Sequence, residues 1–162
     1  MSYKNLEIWQ EAKELSIVIH EMTLALPRFE QFEEGQQIRR SSKSVRANIV
    51  EGYGRRRYRA EFIRFLVIAQ ASNDETIDHL ETLFETKSLT NQKQFDDLHA
   101  RLQCLGRKIN NFIKAVDGNS NSTWVNEYEL HYDDDITASD ALSDQSPASS
   151  SQELATSNQP KA

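Results

Sequence analysis

Residues 90–117 read TNQKQFDDLHARLQCLGRKINNFIKAVD, and the spacing of their apolar side chains decides the fold. Phe95, Leu98, Leu102, Leu105, Ile109, Phe112 and Val116 recur at alternating steps of three and four. That repeat keeps side chains on one face of an α-helix packed in a bundle. Thr90 or Asn91 supplies the side-chain acceptor that an N-cap requires. Gly106 lies inside the repeat, where glycine costs about 1 kcal/mol relative to alanine, so close helix packing is its expected use.

Upstream, the same pattern returns three times. Over residues 58–87 the stripe is Phe62, Leu66, Ala69, Ile77, Leu80 and Phe84, widened by Ile63, Phe65, Val67 and Ile68. A face this broad is expected to meet more than one neighbour. Over residues 35–53 the apolar stripe thins to Ile38, Val45 and Ile49, with Ser41, Ser42, Ser44 and Ala47 between them, small enough to let a neighbouring helix come close. Residues 5–26 place Ile8, Ala12, Leu15, Ile19, Met22 and Leu26 on one seam, which Pro27 ends, and residues 28–34 form the connection. Pro27 and Pro147 bracket a long proline-free stretch, so the expected core is all-α with four helices. No internal repeat of fixed period is present.

Downstream the composition changes. Residues 1–117 hold 18 basic and 17 acidic groups, residues 118–162 hold 1 and 8, and the net charge of −6 therefore belongs to the C-terminal part. Only the first part, with 48 hydrophobic residues of 117 against 13 of 45, can bury a sizeable core. The expected division is a bundle over 1–117 and a flexible Ser/Asp-rich acidic tail over 118–162. Within that tail Tyr128, Leu130 and Tyr132 alternate with Glu127, Glu129 and His131, making 124–132 a candidate docking segment. A flexible acidic tail beside a cationic bundle is expected to compete modestly with phosphate, or to act only as a solubilising appendage. The single cysteine, Cys104, excludes an internal disulfide and any multi-cysteine metal site. No apolar run approaches the roughly 20 residues of a membrane span, and the amino terminus lacks a signal-peptide apolar stretch, so the expected setting is soluble and cytoplasmic, with no membrane partner.

The densest local signal is basic. Between residues 36 and 66, Arg39, Arg40, Lys43, Arg46, Arg55, Arg56, Arg57, Arg59 and Arg64 stand against only Glu51 and Glu61. Arg39, Lys43 and Arg46 share one helix face, and Arg55 to Arg59 lie at the corner leading into the next helix. Guanidinium groups pair bidentately with phosphate, and the flanking Tyr53 and Tyr58 offer rings on which bases stack. Arg39, Arg40, Lys43, Arg46, Arg55, Arg56, Arg57 and Arg59 are the candidate nucleic-acid contacts; a solvated corner paired with bundle carboxylates is the alternative. A polar line, Ser41, Ser44, Asn48 and Glu51, runs beside the apolar stripe. Ser44, Asn48 and Glu51 are read as a structural network, in which a carboxylate beside so many arginines forms an ion pair.

Other chemistry is sparse. Asp96 and His99 have a carboxylate-x-x-His spacing, but a di-iron bundle needs a second such motif. His20 and His79 stand alone, Cys104 adjoins a seam residue, and Asp133, Asp134 and Asp135 lack the glycine and terminal glutamate of a calcium loop. No metal, cofactor or catalytic residue is expected.

Leu6-Glu7-Ile8-Trp9-Gln10 with Ala12 and Leu15, Leu26-Pro27, Gln37-Ile38-Arg39-Arg40, Ser44-Val45, Asn48-Ile49-Val50-Glu51-Gly52, and Glu61-Phe62 leading to Phe65-Leu66-Val67-Ile68-Ala69 resemble the proteins encoded by intervening sequences of large-subunit ribosomal RNA genes. The resemblance covers residues 3–116. It implies an up-and-down four-helix bundle assembled as a homopentamer, similar to the accessory variability determinant of diversity-generating retroelements. Two positions depart from the family. Tyr58 replaces a capping serine or threonine, and Ala71-Ser72 replaces a Gly-Ser pair, which loosens a close contact expected there. The expected function is a non-enzymatic, oligomeric nucleic-acid-binding or scaffolding protein, binding RNA or DNA; the alternative is an accessory subunit that binds a protein partner such as a reverse transcriptase.

Overall fold

The computed structural model describes residues 2–118. A short 3-10 turn, Tyr3–Asn5, precedes α1 (Glu7–Leu24), α2 (Glu34–Gly54), α3 (Arg59–Glu85) and α4 (Gln92–Asp117). Helix α1 packs on α2 and α4, and α3 packs on the same two, so neighbours in sequence are neighbours in space and the bundle is up-and-down. The acidic tail, its candidate docking segment at 124–132 and Asp133 to Asp135 lie outside the described residues.

The helix ends follow local chemistry. Sequence reading carried α1 to Leu26, but it stops at Leu24 with Ala25 as C-cap, because Pro27 disfavours helical backbone at the residue before it. Sequence reading also started α1 at residue 5, where the structure has the separate 3-10 turn, with Leu6 extended between the two. Helix α3 is shorter than the expected 58–87: Tyr58 is its extended N-cap without a side-chain bond, and Thr86 closes it. Asn91 caps α4 by accepting the Gln94 N–H at 3.1 Å. At the other end Gly118 takes φ 66° and donates to the Lys114 carbonyl at 3.0 Å, the left-handed C-terminal stop that favours glycine.

The core contains the expected seams. All six seam residues of α1 are buried, as are Ile38, Val45 and Ile49 of α2, and Leu98, Leu102, Leu105 and Ile109 of α4. Helix α3 differs: Ile77 and Phe84 are only half-buried, while Asn73, Thr76 and Leu83 are buried in the interior. Its widening residues divide, since Val67 is 52% exposed and Ile68 39%. Close approach explains two glycines. A Cβ on Gly106 would stand 3.2 Å from the side-chain amides of Asn73 and Gln70, and one on Gly52 would stand 2.9 Å from the Phe65 Cβ.

A polar chain joins α2 to α3. Thr76 donates to Ser41 at 2.9 Å, Ser44 and Ser72 share a hydrogen bond of 2.9 Å, and Asn48 donates to the Ser44 hydroxyl at 3.0 Å. Glu51 does not belong to it. Its Oε1 accepts from Arg55 at 2.7 Å, the ion pair expected of it, while the hydrogen-bonded chain between the helices consists of Ser41, Ser44, Asn48, Ser72 and Thr76. Ser72 is buried in this chain and Ala71 is exposed, so within the described bundle no close contact forms at position 71.

The α1–α2 connection is inverted. Glu30 is buried and accepts from Ser88 at 2.8 Å, and Gln31 donates to the carbonyls of Leu24 and Leu26 at 3.2 and 2.9 Å. Phe29 and Phe32, by contrast, are 66% and 70% exposed.

Candidate nucleic-acid interface

Residues 39–50 of α2 contain Arg39, Arg40, Lys43 and Arg46 and no carboxylate. Among the described residues none of these four enters an ion pair. Arg40 and Lys43 are exposed and Arg46 is half-buried. Arg39 is different, because its Nη2 donates to the Gln31 carbonyl at 2.7 Å while its Nη1 is buried. It holds the inverted loop and offers little of its guanidinium to a ligand.

The corner arginines point in separate directions. Arg55 turns toward α3, pairing with Glu51 at 2.7 Å and Glu61 at 3.9 Å and lying 5.0 Å over the Phe65 ring. Arg59 pairs with Asp117 at the end of α4, 3.0 Å away. Arg56 donates to the Tyr53 carbonyl at 2.9 Å and covers the Tyr53 ring at 4.3 Å. Arg57 is exposed and, among the described residues, without an ion pair. Tyr58 is exposed beside it.

Three residues outside the sequence candidates, Tyr3, Trp9 and Lys13, join Tyr53 and Arg56 beside the basic edge. Tyr3 packs perpendicular to Trp9 at 5.1 Å and to Tyr53 at 6.4 Å between ring centroids. Lys13 lies 5.7 Å over the Trp9 ring. Lys13, Trp9, Tyr3, Tyr53 and Arg56 thus form a continuous ladder from α1 across the 3-10 turn to α2, with an exposed cation at each end. The turn is fixed locally, by the Lys4 N–H on the Ser2 hydroxyl at 3.3 Å and the Gln10 amide on the Lys4 carbonyl at 2.9 Å. Arg39, Arg46 and Tyr53 stand seven residues apart on α2, near two helical turns each, so the basic stripe and the ladder lie on one edge. Tyr53 and Arg56 are already candidates from the sequence, whereas Tyr3 and Trp9 carry no signal there beyond their place at the start of an apolar seam.

The opposite edge of α1 is acidic and already matched. Lys108 of α4 lies 3.0 Å from both Glu7 and Glu11, and Arg101 lies 3.8 Å from Glu11 and 3.5 Å from Glu14. Hydrogen bonds to Glu7 and then Glu11 hold the Lys108 ammonium well above the usual lysine range, against a smaller opposing effect of desolvation. The remaining titratable candidates scatter. His99 bonds Glu81 of α3 at 2.8 Å instead of joining Asp96, which accepts from Gln92 at 2.8 Å. His79 bonds Glu34 at 2.7 Å, across the α2–α3 contact. Cys104 is a half-buried free thiol. Among the described residues no group of three or more His, Cys, Asp or Glu side chains is arranged to hold a metal ion, and no helix is long and apolar enough to cross a membrane.

An up-and-down bundle with one matched edge and one cationic, aromatic edge defines a class of small helical proteins with a charged lateral face. Within that class the chain belongs to the 23S rRNA-intervening sequence protein family, whose model matches residues 4–111. It is also similar to the crystal structure of a protein of unknown function from the S23 ribosomal protein family of Bacteroides thetaiotaomicron VPI-5482. The two are 27% identical, the match covers 66% of this chain and 95% of that one, and the TM-score is 0.60. No curated protein matches the chain at a significant level.

Proposed function

We propose that this protein is a non-enzymatic, cytoplasmic nucleic-acid-binding or scaffolding protein that holds RNA or DNA by its phosphates along the cationic edge of α2. The observation that carries this reading is the charge partition. Among the described residues Arg40, Lys43 and Arg46 have no carboxylate partner, whereas Arg55, Arg59, Arg101 and Lys108 of the same bundle are each paired. Cations gathered along one helix create a field that attracts polyanions, and phosphate contacts release counterions on binding. The family takes its name from the intervening sequences of 23S rRNA, and RNA is therefore the first ligand to test. Assembly into a homo-oligomer, a ring of five as the family resemblance implies, is part of the proposal and is supported by exposed Val67 and Ile68 on the outer side of α3. Light scattering on the purified protein checks it, and a monomeric mass at micromolar concentration overturns it. Electrophoretic mobility shift with structured RNA, with DNA and with a heparin competitor over a range of salt tests the binding reading, and affinity independent of salt overturns it.

A second reading, an accessory subunit for a protein partner such as a reverse transcriptase, is favoured by the exposed Phe29 and Phe32 on a loop held from inside. Partner capture that survives replacement of Arg40, Lys43 and Arg46 distinguishes it.

A further inference from the structure

The ladder of Lys13, Trp9, Tyr3, Tyr53 and Arg56 has features that a packing role alone leaves without purpose. Its three rings secure the 3-10 turn on the bundle, which apolar contact would do equally well. Yet the faces of the outer two rings are covered by exposed cations, Lys13 at 5.7 Å from Trp9 and Arg56 at 4.3 Å from Tyr53. Among the described residues neither cation forms an ion pair, although Lys108 and Arg101 on the other side of α1 both do. The indole N–H of Trp9 is buried with no acceptor among the described residues, so ring contacts, not a hydrogen bond, set the position of that side chain. The ladder also continues the unpaired stripe of Arg46 and Lys43.

We infer that Trp9, Tyr3 and Tyr53 form a stacking site for unpaired nucleobases, in which Lys13 and Arg56 move from the ring faces to flanking phosphates when a strand binds. The inference rests on the nucleic-acid reading above and specifies its ligand as single-stranded. A base carries a flat π-face that can replace a cation over a ring, and every base has one, so the site is tolerant of sequence. The displaced ammonium and guanidinium groups find a stronger, ionic partner in the phosphate next to that base. A duplex keeps its bases stacked inside and can use only the phosphate contacts.

The experiment uses the full chain carrying Trp124→Phe, which leaves Trp9 as the one tryptophan. It is titrated at fixed salt with a short oligouridylate and with an abasic oligomer of equal charge, reading Trp9 fluorescence and affinity together. Stacking predicts Trp9 quenching by the oligouridylate and affinity about tenfold above the abasic strand. It also predicts that Tyr53→Leu removes that advantage and Tyr53→Phe retains it, with circular dichroism reporting that both variants keep their helices. Equal affinity and equal fluorescence response for the two oligomers overturn the stacking site while leaving phosphate binding intact. If neither oligomer binds, the nucleic-acid reading fails and this inference fails with it.

Discussion

The two edges of α1 are built from the same kinds of residue and reach opposite outcomes. Toward α4, Glu7, Glu11 and Glu14 meet Lys108 and Arg101, and charge is closed within the bundle. Toward α2, Trp9 and Lys13 join Tyr3, Tyr53 and Arg56 in one run of ring contacts, and the next cations along α2 form no ion pair among the described residues. A fold needs only the first arrangement. The second leaves like charges side by side, which destabilises the compact state.

Removing charge from the open edge has the largest expected effect. Replacing Arg40, Lys43 and Arg46 together by Gln lowers the slope of log affinity against log salt by about 2 on single strands, at about 0.7 per lost contact. Low-salt affinity falls roughly tenfold to a hundredfold in the same filter-binding titration. The matched pair of substitutions on the closed edge, Arg101→Gln with Lys108→Gln, leaves both quantities unchanged. A comparable loss from both sets would erase the distinction between the edges.

Gly52→Ala acts on packing alone. The added Cβ meets the Phe65 Cβ at 2.9 Å and the Phe62 ring at 3.1 Å, so α2 and α3 must separate locally, at about 1–3 kcal/mol in urea denaturation. RNA affinity measured well below the unfolding midpoint stays as it was. Lys108→Met breaks the closed edge and is expected to cost about 0.5–1 kcal/mol, because the pairs are partly solvated. Its effect shrinks with added salt, and its sign with pH is fixed. The folded ammonium holds its proton more tightly than the unfolded chain does, so the stabilisation is complete below the ordinary lysine pKa and fades only as alkaline pH rises through the elevated value.

The smallest effect concerns Asp74, a carboxylate on neither edge. Desolvation raises its pKa above the ordinary 3.8, partly offset by hydrogen bonds from Gln70 and Asn73. The folded state therefore binds the proton more tightly, and stability from this group is lost as pH rises through the raised value. Asp74→Asn is expected to stabilise the chain by less than about 1 kcal/mol at neutral pH, with the gain closing as pH falls from the raised value toward 3.8. Thermal unfolding across that range measures it.

Much of the fold was legible because its signals are local. The three-four repeat of α4 and the Asn91 cap depend on residues within a few turns, whereas the close approach at Gly106, expected from the glycine alone, is made to Gln70 and Asn73 of α3. The serines of α2 could be read as a polar seam, but Thr76 and Asn73 broke the apolar stripe of α3 on paper and are buried in fact, since their partners lie 35 and 29 residues away. The candidate site was legible in its charges and not in its geometry. Arg39 and Arg46 look alike in sequence, yet the carbonyl of Gln31, brought round by the loop, claims the first. Arg55, Arg56 and Arg59 form one cluster in sequence and three separate contacts in space, because the chain turns by a full reversal between them. Tyr3 and Trp9 gain their meaning from Tyr53, a contact no periodicity encodes.

The inverted loop at residues 28–33 has a colloidal consequence. Salts that strengthen apolar association act on whatever aromatic surface a protein leaves wet, and Phe29 and Phe32 are the most exposed large apolar side chains of the described chain. Glu30 and Gln31, which elsewhere would keep such a loop soluble, are engaged with Ser88 and with backbone carbonyls. This end of the bundle should therefore be the first part to lose solubility as sulfate is added, well before the charged edge of α2 does, and that order sets the conditions under which the protein can be concentrated.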